Sequence, residues 1–147
     1  MAQRLRLSLI KQNGFSLIEL LVVMLIIGVL AAIALPAFLN QEQKGHDADA
    51  KSNARNLVSL VDACYTSKND YSQCSDVAGL GGNIGIPYGA NPGQAEVTAS
   101  ASDSYTVTAV SNAKTAGANN TFSITRDHNG VVSRSCNGGG GCHSGNW

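Results

Sequence analysis

The stretch "GFSLIELLVVM" sets one carboxylate, Glu19, into a run from Phe15 to Leu39 in which nearly every other side chain is apolar. An isolated charge near the start of a membrane-length segment is costly unless a partner is provided, so Glu19 and the Gly14-Phe15 pair just before it are the first candidates for a function. A second set could form a hydrolytic centre: His46, His128 and His143, with Asp127 and many serines. No GxSxG elbow or other nucleophile motif accompanies them. His128 falls in a turn and His46 on the polar side of a helix, so no enzyme is expected. The "GGGG" run at 138–141 lacks the Lys and Ser/Thr of a phosphate-binding loop and reads as a flexible loop. Asn119-Asn120-Thr121 matches a glycosylation sequon, a weak signal by itself.

The four cysteines, Cys64, Cys74, Cys136 and Cys142, all follow the apolar run. Four cysteines allow three pairings. Proximity favours Cys64–Cys74 and Cys136–Cys142, each closing a short loop. Metal binding is the competing use, since His143 follows Cys142, but there is no CxxC pair and no compact set of four ligands. Neither a metal nor a cofactor is expected.

These residues must be positioned by elements of unequal character. The chain has 147 residues, 44% hydrophobic but only 5% aromatic, and most strong aliphatics lie in residues 15–39. The remainder can build a small core only and needs staples. As a helix the apolar run would be about 38 Å long, enough to cross a hydrocarbon core of about 30 Å. Gly28 and Pro36 interrupt it, and Pro36 should kink or loosen the helix because it lacks an N–H and crowds the preceding turn. Beyond it, residues 40–66 form an amphipathic helix. Ala50, Ala54, Leu57, Val58, Val61, Cys64 and Tyr65 recur at steps of three and four, opposite Lys51, Asn53, Arg55, Asn56, Ser59 and Asp62. Residues 67–95 are punctuated by Gly and Pro as a loop. Strands are expected at 96–100, 105–110, 121–125 and 131–135, with a tight hairpin at Asn129-Gly130. The class is α+β, a small antiparallel sheet covering the amphipathic helix, and the end "CNGGGGCHSGNW" reads as a flexible loop held by its cysteines.

Charge is zero overall yet unevenly placed. Arg4, Arg6 and Lys11 precede Phe15 with no acid among them, while ten acids and seven bases follow, a net of −3. A basic flank keeps its side of an apolar span in the cytoplasm, and the acidic remainder gives no footing for strong nucleic-acid binding.

Three readings compete for residues 1–39. A secretory signal cut after Ala34 fits the basic flank and small residues, but the apolar region is too long, contains Glu19, and places Pro36 just past the cut. A plain signal anchor explains the length and leaves Glu19 without a partner. The third is a family resemblance: "GFSLIELLVVMLIIGVLAAIALPAFLNQ" closely resembles the N-terminus of type IV pilins and the related pseudopilins. Gly14, Phe15, Glu19, Gly28 and Pro36 match together, and the likeness is strong over about residues 8–60.

That resemblance implies the type IV pilin fold, a long N-terminal helix with a hydrophobic then an amphipathic half, packed on an antiparallel sheet. It implies a basic leader of residues 1–14, cut between Gly14 and Phe15 by a membrane-embedded prepilin peptidase, and methylation of the new Phe15 amine. Glu19 would face the Phe15 amine of a neighbouring subunit, and Gly28 and Pro36 would bracket a helix segment that loosens on entering the filament. The two cysteine pairs would parallel disulfide-closed loops of many pilins. The implied partners are further copies of the chain in a helical homopolymer, the peptidase, the assembly machinery and, before assembly, the cytoplasmic membrane. The prepilin would be single-pass in the inner membrane with its leader in the cytoplasm; the assembled filament would be extracellular. A type II secretion pseudopilin is the alternative within the family, disfavoured because no acid follows Asp127 to serve the calcium site typical of its C-terminus. A membrane-anchored binding module, such as a DNA-uptake pilin, is the alternative from another class, and the acidic balance argues against it.

Overall fold

The computed structural model describes residues 14–147, so the basic leader up to Asn13, with Arg4, Arg6 and Lys11, lies outside the described residues. Helix α1 spans Leu17–Lys68, with Glu19 in its first turn and Lys68 in its last, charges that suit the two ends of the helix dipole. It is unbroken at Gly28 and Pro36, although the proline supplies no N–H. It ends two residues later than the sequence pattern indicates, because Asn69 closes it in the left-handed region (φ 54°) and donates its N–H to the Tyr65 carbonyl at 2.7 Å.

Two compact units divide the chain, one ending at Phe38 and the other spanning Leu39–Trp147. In the first, every large hydrophobic side chain from Phe15 to Phe38 is at least 45% exposed. α1 is long and apolar enough to cross a membrane.

The second unit is built on the expected stripe: Ala50, Ala54, Leu57, Val61 and Cys64 are buried along α1, and Asp47 continues the same line one step earlier. The stripe meets a four-stranded antiparallel sheet of order β1-β2-β3-β4, with strands at Ala95–Ser100, Tyr105–Thr115, Ala118–Arg126 and Val132–Asn137. Tyr105, Val107 and Ala109 of β2 and Phe122 and Ile124 of β3 point into the core, while Thr106, Thr108, Ser123 and Thr125 pair their hydroxyls across the strands, the alternation of a sheet buried on one face.

The strands differ from the sequence reading chiefly at two turns. β2 and β3 run on past Val110 and begin before Thr121, joined at Ala116-Gly117, both with positive φ (51° and 85°). That is a tight two-residue hairpin turn, masked in the sequence by an alanine where asparagine is usual. At the expected hairpin, Asn129 does not take a positive φ; Gly130 alone does (81°). The turn is longer, closed by Gly130 N–H to Asp127 O and Asp127 N–H to Val131 O, with the Asp127 carboxylate accepting from Asn129 N and Val131 N.

Within the 67–95 loop, Asp70 caps a short 3-10 helix, Tyr71–Cys74. The Cys64–Cys74 bridge ties it to α1. Tyr71 stacks on Tyr65 (centroids 4.1 Å apart) and meets Tyr105 edge-on.

Candidate functional site

The helix start and the Glu19 carboxylate form one local structure. Ser16 is the residue before α1, and Glu19, three positions on, reaches back so that Ser16 N–H donates to its Oε2 at 2.9 Å. The first turn closes with Glu19 N and Leu20 N on the Ser16 carbonyl. This is the glutamate half of a capping box, which satisfies one of the unpaired N–H groups at a helix start. The sequence reading left Glu19 without a partner inside its own chain and passed over Ser16; S-x-x-E ahead of the apolar run was the available signal. Phe15, Ile18, Glu19, Val22 and Val23 line one shallow concavity, so the carboxylate stands in an otherwise apolar recess beside Phe15. One of its oxygens holds Ser16, and among the described residues the other has no hydrogen bond. Gly14 and Phe15 lie ahead of the helix as exposed, non-helical chain, an extended segment that a protease could engage.

Both cysteine pairs favoured by proximity are formed, Cys64–Cys74 and Cys136–Cys142, with Cα–Cα separations of 6.0 and 5.8 Å. The second corrects the picture of a flexible glycine loop. Gly140 N–H donates to Asp47 Oδ2 at 2.6 Å, its carbonyl accepts from Lys51 Nζ at 2.9 Å, and Asn120 Nδ2 donates to both Asp47 oxygens. Asp47 and Asn120 are buried, 1% and 2% exposed. A buried carboxylate is tolerated because three donor contacts replace water. Gly139, at φ 91°, packs so close that a Cβ there would meet both side chains. Beyond the bridge, Trp147 packs edge-on against Phe122 and donates its indole N–H to the Ser135 and Ser123 carbonyls.

The residues considered for hydrolysis are not gathered. His46 lies 3.8 Å from Glu42 on α1, His128 is exposed in the β3–β4 turn, and His143 belongs to a terminal turn with Asn146. The Val131 N–H, ahead of the Asn129 contacts, holds Asp127 below the usual carboxylate range, the environment of a turn anchor. No group of three His, Cys, Asp or Glu residues able to hold a metal ion occurs among the described residues. Elsewhere, burial raises the Tyr105 and Tyr71 phenols, with the Asp62 carboxylate, which accepts from Tyr71 OH at 3.0 Å, adding to both.

Comparison with known proteins bears on the helix start and on the chain as a whole. Residues 9–35 match the family described as the prokaryotic N-terminal methylation motif. The type IV major pilin protein PilA of Myxococcus xanthus is 35% identical over 79 residues, 54% of this chain and 36% of that protein. Fimbrial protein EcpC of Eikenella corrodens is 35% identical over 77 residues, 52% of this chain and 50% of that one. The type IV major fimbrial protein FimA of Dichelobacter nodosus is 33% identical over 63 residues, 43% and 40% of the two chains. The matched region thus spans between about a third and a half of these relatives' length. No solved structure matches the chain.

Proposed function

We propose that this chain, a type IV pilin by its N-terminal motif and helix, is the structural subunit of a surface pilus, cut between Gly14 and Phe15 and polymerised through the apolar part of α1. The observation that carries this reading is the helix surface from Phe15 to Leu39, exposed throughout and interrupted by a single carboxylate. Each such large apolar side chain gains about 1.5–3 kcal/mol on leaving water, so seventeen of them keep the subunit out of the aqueous phase at every stage. Lipid and a bundle of identical helices are both dry, however, and the hydrophobic term does not separate them. The choice falls to the polar group. A carboxylate is poorly accommodated in lipid and well accommodated opposite an α-amine. Cleavage before Phe15 supplies that amine, and a neighbour's amine facing Glu19 fixes where along the axis the next subunit sits.

On this reading the basic leader stays in the cytoplasm and the unit from Leu39 on faces outward, where both disulfides persist. Prepilin peptidase makes the cut and the Phe15 amine is methylated. Gly28, which costs a helix about 1 kcal/mol relative to alanine, and Pro36 bracket the segment that loosens when the helix is packed. The chain acts by assembly and performs no chemistry. A pilus is favoured over a secretion pseudopilus because the C-terminal loop is organised by backbone contacts to Asp47 and Lys51, with no acid after Asp127.

Mass spectrometry of filaments sheared from the cell surface tests the reading. The main component should begin at Phe15, carry one methyl group on its amine, and retain both disulfides. A chain beginning at Leu35, or a chain found only in soluble form, would overturn it.

A further inference from the structure

Three cations surround one indole ring. Lys51 Nζ, Arg55 Cζ and Arg134 Cζ lie 5.8, 5.1 and 5.4 Å from the Trp147 ring centroid. Lys51 and Arg55 are one turn apart on α1, and Arg134 comes from β4, an edge strand of the sheet. None of the three pairs with a carboxylate; the ion pair among the described residues is His46–Glu42. Asp47, one turn before Lys51, is engaged by Asn120 and Gly140. Like charges at this spacing repel, and the ring only partly offsets that, so the cluster is suited to receive an anion.

The other edge of the sheet has the opposite sign. Glu96 lies in β1 and Asp103 in the β1–β2 connection. Asp70 and Asp76 flank the 3-10 helix, which packs on β1 and donates Tyr71 N–H to the Ser102 carbonyl. Two cations lie near this side: Lys68, turned to the Gln73 and Gly79 carbonyls, and Arg126 of β3, which lines a concavity with Ser100 and Ser104. The two edges belong to opposite ends of one sheet and do not meet within a chain.

We propose that the basic β4 edge of one head docks on the acidic β1 edge of the next copy. The contact joins two different patches, so it is head-to-tail and propagates helically. A second copy suits the cluster better than a phosphate polyanion, because residues 15–147 carry a net charge of −3 and the acidic edge would repel such a strand. The proposal rests on the filament reading above and adds which charged side chains join the heads.

The test uses the full chain in producing cells. Arg55→Glu/Arg134→Glu and Glu96→Lys/Asp103→Lys change three exposed residues and the half-buried Glu96, and leave Lys51, which holds Gly140, in place. Each double variant should lower the recovery of sheared filaments about tenfold, the effect of two exposed ion pairs turned repulsive, and should make the filaments dissolve at lower salt. Combining all four changes should restore both. Intact disulfides and protease resistance of the membrane pool would report that the heads are folded. Unchanged yield and salt resistance in both double variants would overturn the docking, as would a fourfold variant no better than the doubles. Full assembly of Arg55→Glu/Arg134→Glu with loss of salt-sensitive retention of single-stranded DNA would assign the cluster to a polyanion instead. No filaments from the unaltered chain would overturn the filament reading itself, and the docking with it.

Discussion

At the scale of the residue, Glu19 combines a local role with an intermolecular one. Its Oε2 accepts the Ser16 N–H, an interaction worth about 1 kcal/mol to a helix start, and the other oxygen takes no donor from the described residues. Two substitutions separate these roles. Glu19→Gln keeps an amide oxygen that can accept from Ser16 but loses the charge; Glu19→Ala loses both. If charge pairing with a neighbour's amine governs assembly, both variants should be processed and inserted normally, and both should lower the yield of sheared filaments by about tenfold or more, the effect of losing a charged partner in a dry interface. Filaments from Glu19→Gln at the unaltered level would assign the residue to capping alone. The anomaly of Glu19 was readable from the sequence, because a charge stands out in an apolar run. Its bond to Ser16 is hard to see in the sequence, because S-x-x-E at a helix start looks like ordinary helix composition.

At the scale of the element, the C-terminal loop shows where sequence reading fails. Glycine content reports conformational freedom and is silent about what consumes it. The partners of Gly140 are Asp47 and Lys51, 93 and 89 positions away, and no local pattern announces a contact at such range. The α1 stripe was legible because a period of 3.6 marks a buried face, and its extension to Asp47 broke the pattern only by being charged. The Ala116-Gly117 hairpin escaped for the opposite reason, a residue with no turn preference occupying a turn. The loop also implies coupling. Closing six residues by the Cys136–Cys142 bridge contributes about 2 kcal/mol by chain entropy. Removing the Asp47 carboxylate leaves the Asn120 amide and Gly140 N–H unpaired, at about 2–4 kcal/mol. Because the bridge also holds Gly140 over Asp47, Cys136→Ser/Cys142→Ser and Asp47→Ala should cost less together than the sum of the two measured separately. Denaturant unfolding of the detergent-solubilised chain should give a coupling of about 1 kcal/mol; strict additivity would show that the bridge and the carboxylate act independently.

At the scale of the whole molecule, two units answer to different solvents: among its described residues the first exposes every large apolar side chain from Phe15 to Phe38, and the second must be stable in water on a modest core. The sequence shows this division through composition alone, since a 25-residue run whose polar side chains are Ser16 and Glu19 and a Gly/Asn/Ser-rich remainder cannot serve the same environment. How the second unit is stabilised is less visible, because Tyr65 of α1, Tyr71 of the 3-10 helix and Tyr105 of β2 come together from distant parts of the chain. That cluster sets a pH limit. Burial first, and the Asp62 carboxylate second, raise the Tyr105 phenol, and burial also leads for Tyr71 and Tyr88. A phenol whose folded pKa exceeds its unfolded value, about 10, binds more protons in the folded state above that pH. Its contribution is therefore fully present below pH 10 and is lost as pH rises toward the folded value. On the acid side Asp70, lowered chiefly by the Ser72 hydroxyl, and Asp127, lowered chiefly by the Val131 N–H, contribute above their ordinary pKa of 3.8 and lose it as pH falls. Both carboxylates are solvent-exposed, so screening keeps their effect small. The thermal midpoint of the second unit, followed by Trp147 fluorescence in the solubilised chain, should therefore be nearly flat from pH 5 to 9 and fall steeply above about 10. Tyr105→Phe removes the most deeply buried of the three phenols, 3% exposed, and should flatten most of that alkaline fall while leaving the neutral-pH midpoint within a few degrees. An unchanged alkaline slope in that variant would place the titrating group outside the cluster.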